Sequence, residues 1–382
     1  MKRKAFPKLV IVVSLVAALA IVAPMMSGCL GKPAVAPPVA PPEVAPEVAP
    51  PEVAPPVAPA EVVEPIRWRL QTYAGPALAE HVCFNAIREF NEAAEGRMVI
   101  DMYSADQLVP HGELFRAMQE GTIEAVVSDD DSMASPADIR VFAAYFPLGI
   151  RYSLDNAAMF NWWGLDEIWT EAYDEIEGVT WLSSGSWDPC NFTTTRPIRS
   201  IEDFQGLRVY MFPTGGVFMS QYGVVPVSLP YEDAEMAVLT GMLDGMSWCA
   251  ITENYTVGWA DVTDYYLTNN ISGAWIGSWF VNTDAWEALP ADLQALYLLM
   301  CDKSHYYRLH WYWWGEPYYR KYETKYLEFT TIPADEWAIV EADAIVFWDE
   351  EIATISPRCA RVVEIYKEYN QCMLDAGPPY RY

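Results

Sequence analysis

Basic side chains are scarce in this 382-residue chain: 24 Lys and Arg stand against 52 Asp and Glu, a formal net charge of −28. That balance excludes a surface built for nucleic acid or anionic lipid headgroups, both of which need clustered cations. An acidic, solvated exterior that aids solubility is the plain reading. Histidine is scarcer still. His81, His111, His305 and His310 are the only four, and they lack metal-site spacing. No C-x-x-C occurs among the seven cysteines, so neither a zinc ribbon nor a dithiol catalyst is indicated. G-x-S-x-G, the P-loop, G-x-G-x-x-G and H-E-x-x-H are missing too. Acid pairs exist, but 52 acidic residues make coincidence cheap. No nucleophile, base and stabiliser emerge together, so the chain reads as a non-enzyme.

What is present begins with a basic "MKRKAFPK", an apolar "LVIVVSLVAALAIVAP" and the small residues of "MSGC". That is an export signal, and the run is short for a membrane span. Its end resembles a bacterial lipobox, which implies cleavage before Cys29, lipidation of that thiol and a membrane anchor outside the cytoplasm. A Pro-Ala-Val-Glu repeat follows to residue 65. It buries nothing and its prolines cannot pair in central strands, so it reads as an extended tether of roughly 100 Å at most. The six cysteines left after Cys29 allow fifteen connectivities. Cys359 and Cys372, near the C-terminus, are the one pairing singled out.

From residue 66 the pattern is α/β. "IRWRLQTYA" alternates as a strand, "ALAEHVCFNAIREFNEAAEG" is an amphipathic helix stopped by Gly96, and "RMVIDMYS" is a second strand. "HGELFRAMQEGTIEAVVSDDD" then reads helix, glycine turn, strand. This β-α-β-α-β order implies a parallel sheet, with ligands at the carboxyl ends of its strands. Tyr73 and Asp129 to Asp131, with Asp130 at their centre, lie at such ends. The helix-Gly-strand pattern occurs twice, in "AMQEGTIEAVVS" and "AVLTGMLDGMSW", which suggests two similar halves around a cleft. From Ala291 to Leu327 few breakers occur. Leu293, Tyr297, Met300, Ser304, Tyr307, Trp311, Trp314 and Tyr318 recur at helical spacing, with Gly315 and Pro317 as the expected kink. "PADEWAIVEADAIVFWDEEIAT" reads as a helix packed on the outside.

Several blocks in order, "RPIRSIEDFQGLRVYMFPTGG", "VPVSLPYEDAEMAVLTGMLDGMSW" and "WFVNTDAWEALPADLQALY", resemble the DctP-type solute-binding proteins of tripartite ATP-independent periplasmic (TRAP) transporters. "EGTIEAVVS" and "FPLGIRYSLDNA" extend the resemblance to the first half. It covers roughly residues 66–330. It implies an α/β periplasmic-binding-protein fold of two lobes with a hinge and a long lobe-bridging helix. Such a fold closes on a small solute, usually an organic acid, and delivers it to membrane permease subunits. The boundaries expected are signal 1–29, tether 30–65, lobe I 66–187 plus about 281–382, and lobe II 188–280.

The strand "GLRVYMF" departs from the family. There the pattern is commonly G-L-K-x-R-[VI], and its arginine pairs bidentately with the ligand carboxylate. Here Arg208 holds the lysine place and Tyr210 the arginine place. The keto-acid branch also carries a metal-holding Glu before the Trp of "DGMSW", where this chain has Ser247. Three readings follow. Arg208, on the same face as Tyr210, takes over a carboxylate. Alternatively the ligand is neutral, held by Tyr210, Ser247, Asn191, Trp248, Trp187 and Trp279. Or it is cationic or bound with a metal ion, held by Asp188, Asp129, Asp130 or Glu253 with aromatic faces. Asp188 and Glu253 are the metal candidates, and no other cofactor is expected. Tyr73 closes the candidate set, and Trp279 is favoured over Trp275 in the probable hinge strand "GAWIGSWFVN". A different class of function is a tethered scaffold, adhesin or sensor subunit, which would bind no small solute.

Overall fold

The computed structural model describes residues 64–143, 146–229, 231–322 and 327–377. Cys29, the export signal and the tether lie outside the described residues. β1 (Ile66–Thr72) pairs in parallel with β2 (Met98–Tyr103) through Ile66↔Met98 and with β3 (Ala125–Ser128) through Leu70↔Ala125. Between them run α1 (Asn85–Ala93) and α2 (Leu114–Gln119). This is the expected parallel unit. Crossover helices cover both faces, so β3 is buried along its whole length.

Two long strands carry the chain between lobes. β4 (Val179–Thr194) is sixteen residues long and β9 (Ala274–Asn282) nine. They run antiparallel, and β9 also pairs with β3. The far half of β4 enters the second lobe, where β5 (Arg208–Tyr210), β6 (Val225–Val227) and β7 (Gly245–Cys249) complete the order β2-β1-β3-β9-β4-β7-β5-β6. β8 (Tyr265–Leu267) also pairs with β4, and β10 (Glu328–Thr330) with β8. Residue 188 is therefore no break in the chain path, because β4 runs through it.

The repeated motif is a repeated structure. α2 is followed by Gly121 with φ +71°, and α3 (Tyr231–Leu239) by Gly241 with φ +72°. In both, the two N–H groups after the glycine return to one carbonyl: Thr122 and Ile123 to Ala117, Met242 and Leu243 to Ala237. Only glycine takes that left-handed turn without strain. The next strands, β3 and β7, are the central ones of each lobe.

α4 (Ala250–Thr256) follows β7 directly, and α5 (Ala291–Tyr322) is the long bridging helix, with Pro317 inside it. At 32 residues it spans about 48 Å. Its buried face runs Tyr297, Cys301, Ser304, Arg308, Tyr312, Gly315. Tyr307, Trp314 and Tyr318, expected on that face, are exposed instead. From Ser304 on, the i,i+4 row wins, and it carries an arginine.

α6 (Ala334–Phe347) and α7 (Pro357–Ala376) close the chain. α6 places Trp337, Val340 and Ala344 against Phe192, Val209 and Met219 of the second lobe, while α7 packs Val362 and Tyr366 on Phe142 and Phe146 of the first. α6, expected in lobe I with the rest of 281–382, thus shares its core with second-lobe strands. Cys359 and Cys372 also cannot pair. Both sit on α7, thirteen residues or roughly 20 Å apart along the axis.

Candidate functional site

The centre of the molecule is a short run of facing pairs on β4 and β9. Trp187 lies opposite Trp275, Gly185 opposite Gly277 and Ser183 opposite Trp279. All six share one face, since paired residues point the same way and alternate residues repeat it. The two glycines are needed there. A Cβ on Gly277 would come within 2.3 Å of the Trp187 ring, and one on Gly185 within 2.2 Å of Arg308 Nη2. The Trp187 ring meets Trp275 edge-on at 4.5 Å, and Tyr73, just past the end of β1, meets Trp275 at 4.9 Å and Trp187 at 6.0 Å.

Arg308 reaches in from α5. Its Nε donates to the Ser186 carbonyl at 3.1 Å and Nη1 to the Val82 carbonyl at 3.0 Å. Its guanidinium carbon lies 3.6 Å from the centre of the Trp187 ring. Nη2, the Tyr73 hydroxyl and the indole N–H groups of Trp187 and Trp275 are buried donors without a protein acceptor among the described residues.

The acids come from both lobes and the hinge. After β7 the chain turns through Ala250, at φ +48°, into α4, which brings Glu253 inward, 1% exposed. Tyr312, one turn beyond Arg308, donates its hydroxyl to Glu253 Oε1. Burial pushes the Glu253 carboxyl up to about 8, although the Tyr312 hydroxyl, Arg308 and the Trp248 indole pull it back down. Asp188 accepts from Ser153 Oγ at 2.6 Å. Burial and the charge of Glu316 raise it to about 7. Asp129 accepts from the Ser132 N–H at 2.7 Å, and burial raises it to about 7. Burial, then the nearby charge of Glu253, lifts the Tyr73 phenol well above its ordinary value.

The expected site residues separate into groups. Tyr73, Trp187, Asp188 and Glu253 converge as described. Tyr210 and Trp248 join the same apolar cluster, their ring centres 6.4 Å apart, with Phe212 at 5.8 Å from Tyr210. Ser247 is buried on the opposite face of β7 from Trp248, paired across to Phe192. Asn191 spends its amide on the carbonyls of Leu267 and Asn269 and the side chain of Asn270, which pins a loop. Arg208 is held in a two-pronged pair with Asp244, at 2.9 Å and 2.7 Å, on a half-exposed surface. That pair engages the guanidinium that one reading reserved for a ligand carboxylate. Asp130 turns into the lobe I core, where Trp169 Nε1 and the Tyr173 hydroxyl donate to it. Trp279 packs on Tyr297, so Trp275 is the hinge tryptophan beside Tyr73. Sequence reasoning missed Arg308 and Tyr312. Their signal was a lone arginine on the buried row of a helix, four residues from a tyrosine.

A pocket of about 390 Å³ opens elsewhere, among Arg151, Asn270, Trp337 and Glu341, and its walls include none of these rings. Among the described residues no group of three or more His, Cys, Asp or Glu could hold a metal ion.

Two α/β lobes joined through long shared strands around a buried, aromatic, acid-bearing cluster are the architecture of a small-solute receptor. Residues 80–352 match the family model for DctP, the bacterial extracellular solute-binding proteins of family 7, and the chain belongs to that family. It is a periplasmic binding protein of the transport class, and no described helix is long and apolar enough to cross a membrane. A TRAP periplasmic solute-binding protein of Chromohalobacter salexigens DSM 3043, solved with bound (S)-(+)-2-amino-1-propanol, is 60% identical. The match has a TM-score of 0.80 and covers 83% of this chain and 99% of that one. A TRAP solute-binding protein of Bordetella bronchiseptica RB50, solved with calcium and picolinate, is 20% identical with a TM-score of 0.72, covering 82% and 94%. It shows the shared fold. A monocarboxylate 2-oxoacid-binding periplasmic protein of Nostoc sp. is 23% identical over 241 residues, 61% of this chain and 64% of that protein's length.

Proposed function

We propose that this chain is the extracytoplasmic receptor of a TRAP-type transporter and that its solute is a small protonated amino alcohol. The carrying observation is the Glu253 carboxyl, buried beside Tyr312 and Trp248 while Tyr210 stands where the family places its carboxylate-binding arginine. An ammonium group restores the charge that burial takes from Glu253, and the Tyr73 and Trp275 rings supply faces that favour a cation. The unpartnered donors around Trp187 suit a hydroxyl oxygen. The relative that carries 2-amino-1-propanol supports the same chemistry. The lobes close because the solute touches both, and closure is favoured only by contacts that the open form lacks. The lipidated Cys29 and the tether keep the receptor beside the membrane permease that takes the solute.

The test is calorimetric titration of the full chain with (S)-2-amino-1-propanol, ethanolamine, lactate and pyruvate. One-to-one binding of the amino alcohols, with none of the carboxylates, is expected. Binding of pyruvate or lactate in their place overturns the ligand class, and no binding by any small solute favours a scaffold.

A further inference from the structure

Cys190 and Cys249 face each other across β4 and β7. Cys190 exchanges no backbone bond with its opposite number. Its N–H donates to Ser272 Oγ at 3.1 Å, and its carbonyl accepts the Ile271 N–H at 2.8 Å. Opposed antiparallel residues of this non-bonded kind have Cα atoms about 4.5 Å apart, inside the range that a disulfide spans. Their sulfur atoms are 2.9 Å apart and buried. The other described cysteines show no such partner. Cys359 gives its thiol to the Asp138 carbonyl, and Cys372 is exposed on the same helix.

We infer that Cys190 and Cys249 are joined by a disulfide in the protein as it works outside the cytoplasm, where thiols are kept oxidised. The oxidant is a disulfide-exchange partner of that compartment. One cysteine thiolate attacks the partner's disulfide and displaces one of its thiolates, giving a mixed disulfide. The second cysteine thiolate then attacks the first cysteine's sulfur and displaces the other thiolate. The two cysteines lose two electrons and two protons, and the partner leaves as a dithiol. Burial holds the Cys249 thiol well above its ordinary value in the folded chain, so the exchange precedes closure of β7 on β4.

The bond has a place in the binding machinery. Cys249 immediately precedes Ala250, whose φ of +48° is unfavourable for a residue with a Cβ. That turn aims Glu253 at Tyr312. The disulfide ties it to the strand that carries Trp187 and Asp188, and it closes a loop whose ends are 59 residues apart in sequence. The inference rests on export and geometry, and it stands whichever solute the pocket takes.

The full chain is exported, unfolded in guanidinium with an alkylating agent present, digested without reductant and mapped by mass. A peptide pair linking Cys190 to Cys249 is the expected result. Separate alkylation of the two, or linkage of either to another cysteine, overturns the inference. Because a Cys→Ser variant can fail to fold, the second arm uses the same sequence made and held reduced. The oxidised protein melts roughly 5–10 °C higher than the reduced one, and folded oxidised protein resists reductant until denaturant is added. Equal melting points overturn the structural role.

Discussion

Arg308 sits 3.6 Å over the Trp187 ring, with two of its nitrogens on the carbonyls of Ser186 and Val82. One side chain on the bridging helix thus fixes a hinge strand, a lobe I helix and an indole of the candidate pocket. Arg308→Met should cost about 2–4 kcal/mol, because the buried Ser186 carbonyl loses its side-chain donor, the Val82 carbonyl keeps Ser304 Oγ but loses Arg308, and the stack on Trp187 goes. Arg308→Lys should recover little of this, since an ammonium lacks the planar fork. Guanidinium denaturation midpoints of the three proteins check it.

The slot beside that stack is made by glycine. In Gly277→Ala the new methyl meets the Trp187 ring at 2.3 Å, so the ring shifts. A loss of about 1–3 kcal/mol of stability is expected. Solute affinity should fall with it, read by calorimetry under conditions where the variant is folded.

On the proposed reading, Glu253 should set the pH dependence of capture. In the empty protein its carboxyl is neutral below about 8, and a cation binds the charged form. Affinity for (S)-2-amino-1-propanol should therefore weaken as pH falls from 8 to 6, by about tenfold per unit. Glu253→Gln should bind roughly 100-fold more weakly at pH 8 and lose the pH dependence. An unchanged slope in the variant assigns the proton to another group.

The ligand-free protein should itself be most stable in mild acid. Burial is the largest cause that raises Asp129, Asp130 and Asp188 to about 7 and Glu253 to about 8. A carboxyl raised on folding contributes its stability in full below its unfolded value near 4, and loses it as pH climbs through the folded value. The melting temperature should fall between pH 5 and pH 9. Saturating amino alcohol should offset part of the fall by holding Glu253 charged. A midpoint that rises over this range contradicts the assignment.

The first parallel unit, the twin glycine turns and the bridging helix were legible because local pattern dictates them. Alternation marks strands, and Gly121 and Gly241 stand where a left-handed residue is needed. The pocket was harder to read. Tyr73, Trp187, Trp248 and Tyr210 lie at strand ends or in strands, where topology predicts ligand contact. Arg208 and Asn191 share those strands, but their polar groups are taken by Asp244 and by the loop at Leu267 to Asn270. No spacing in a single sequence shows which neighbour will claim a side chain. Tyr312 meets Glu253 across 59 residues of chain, a pairing that only the tertiary fold brings about.

The opposed Gly185 and Gly277 leave the space in which the Trp187 indole lies across the shared strands. Any swing of one lobe must then drag a fluorophore past a guanidinium and two other rings. A change in tryptophan emission on solute binding is therefore expected, and stopped flow would read it without a dye.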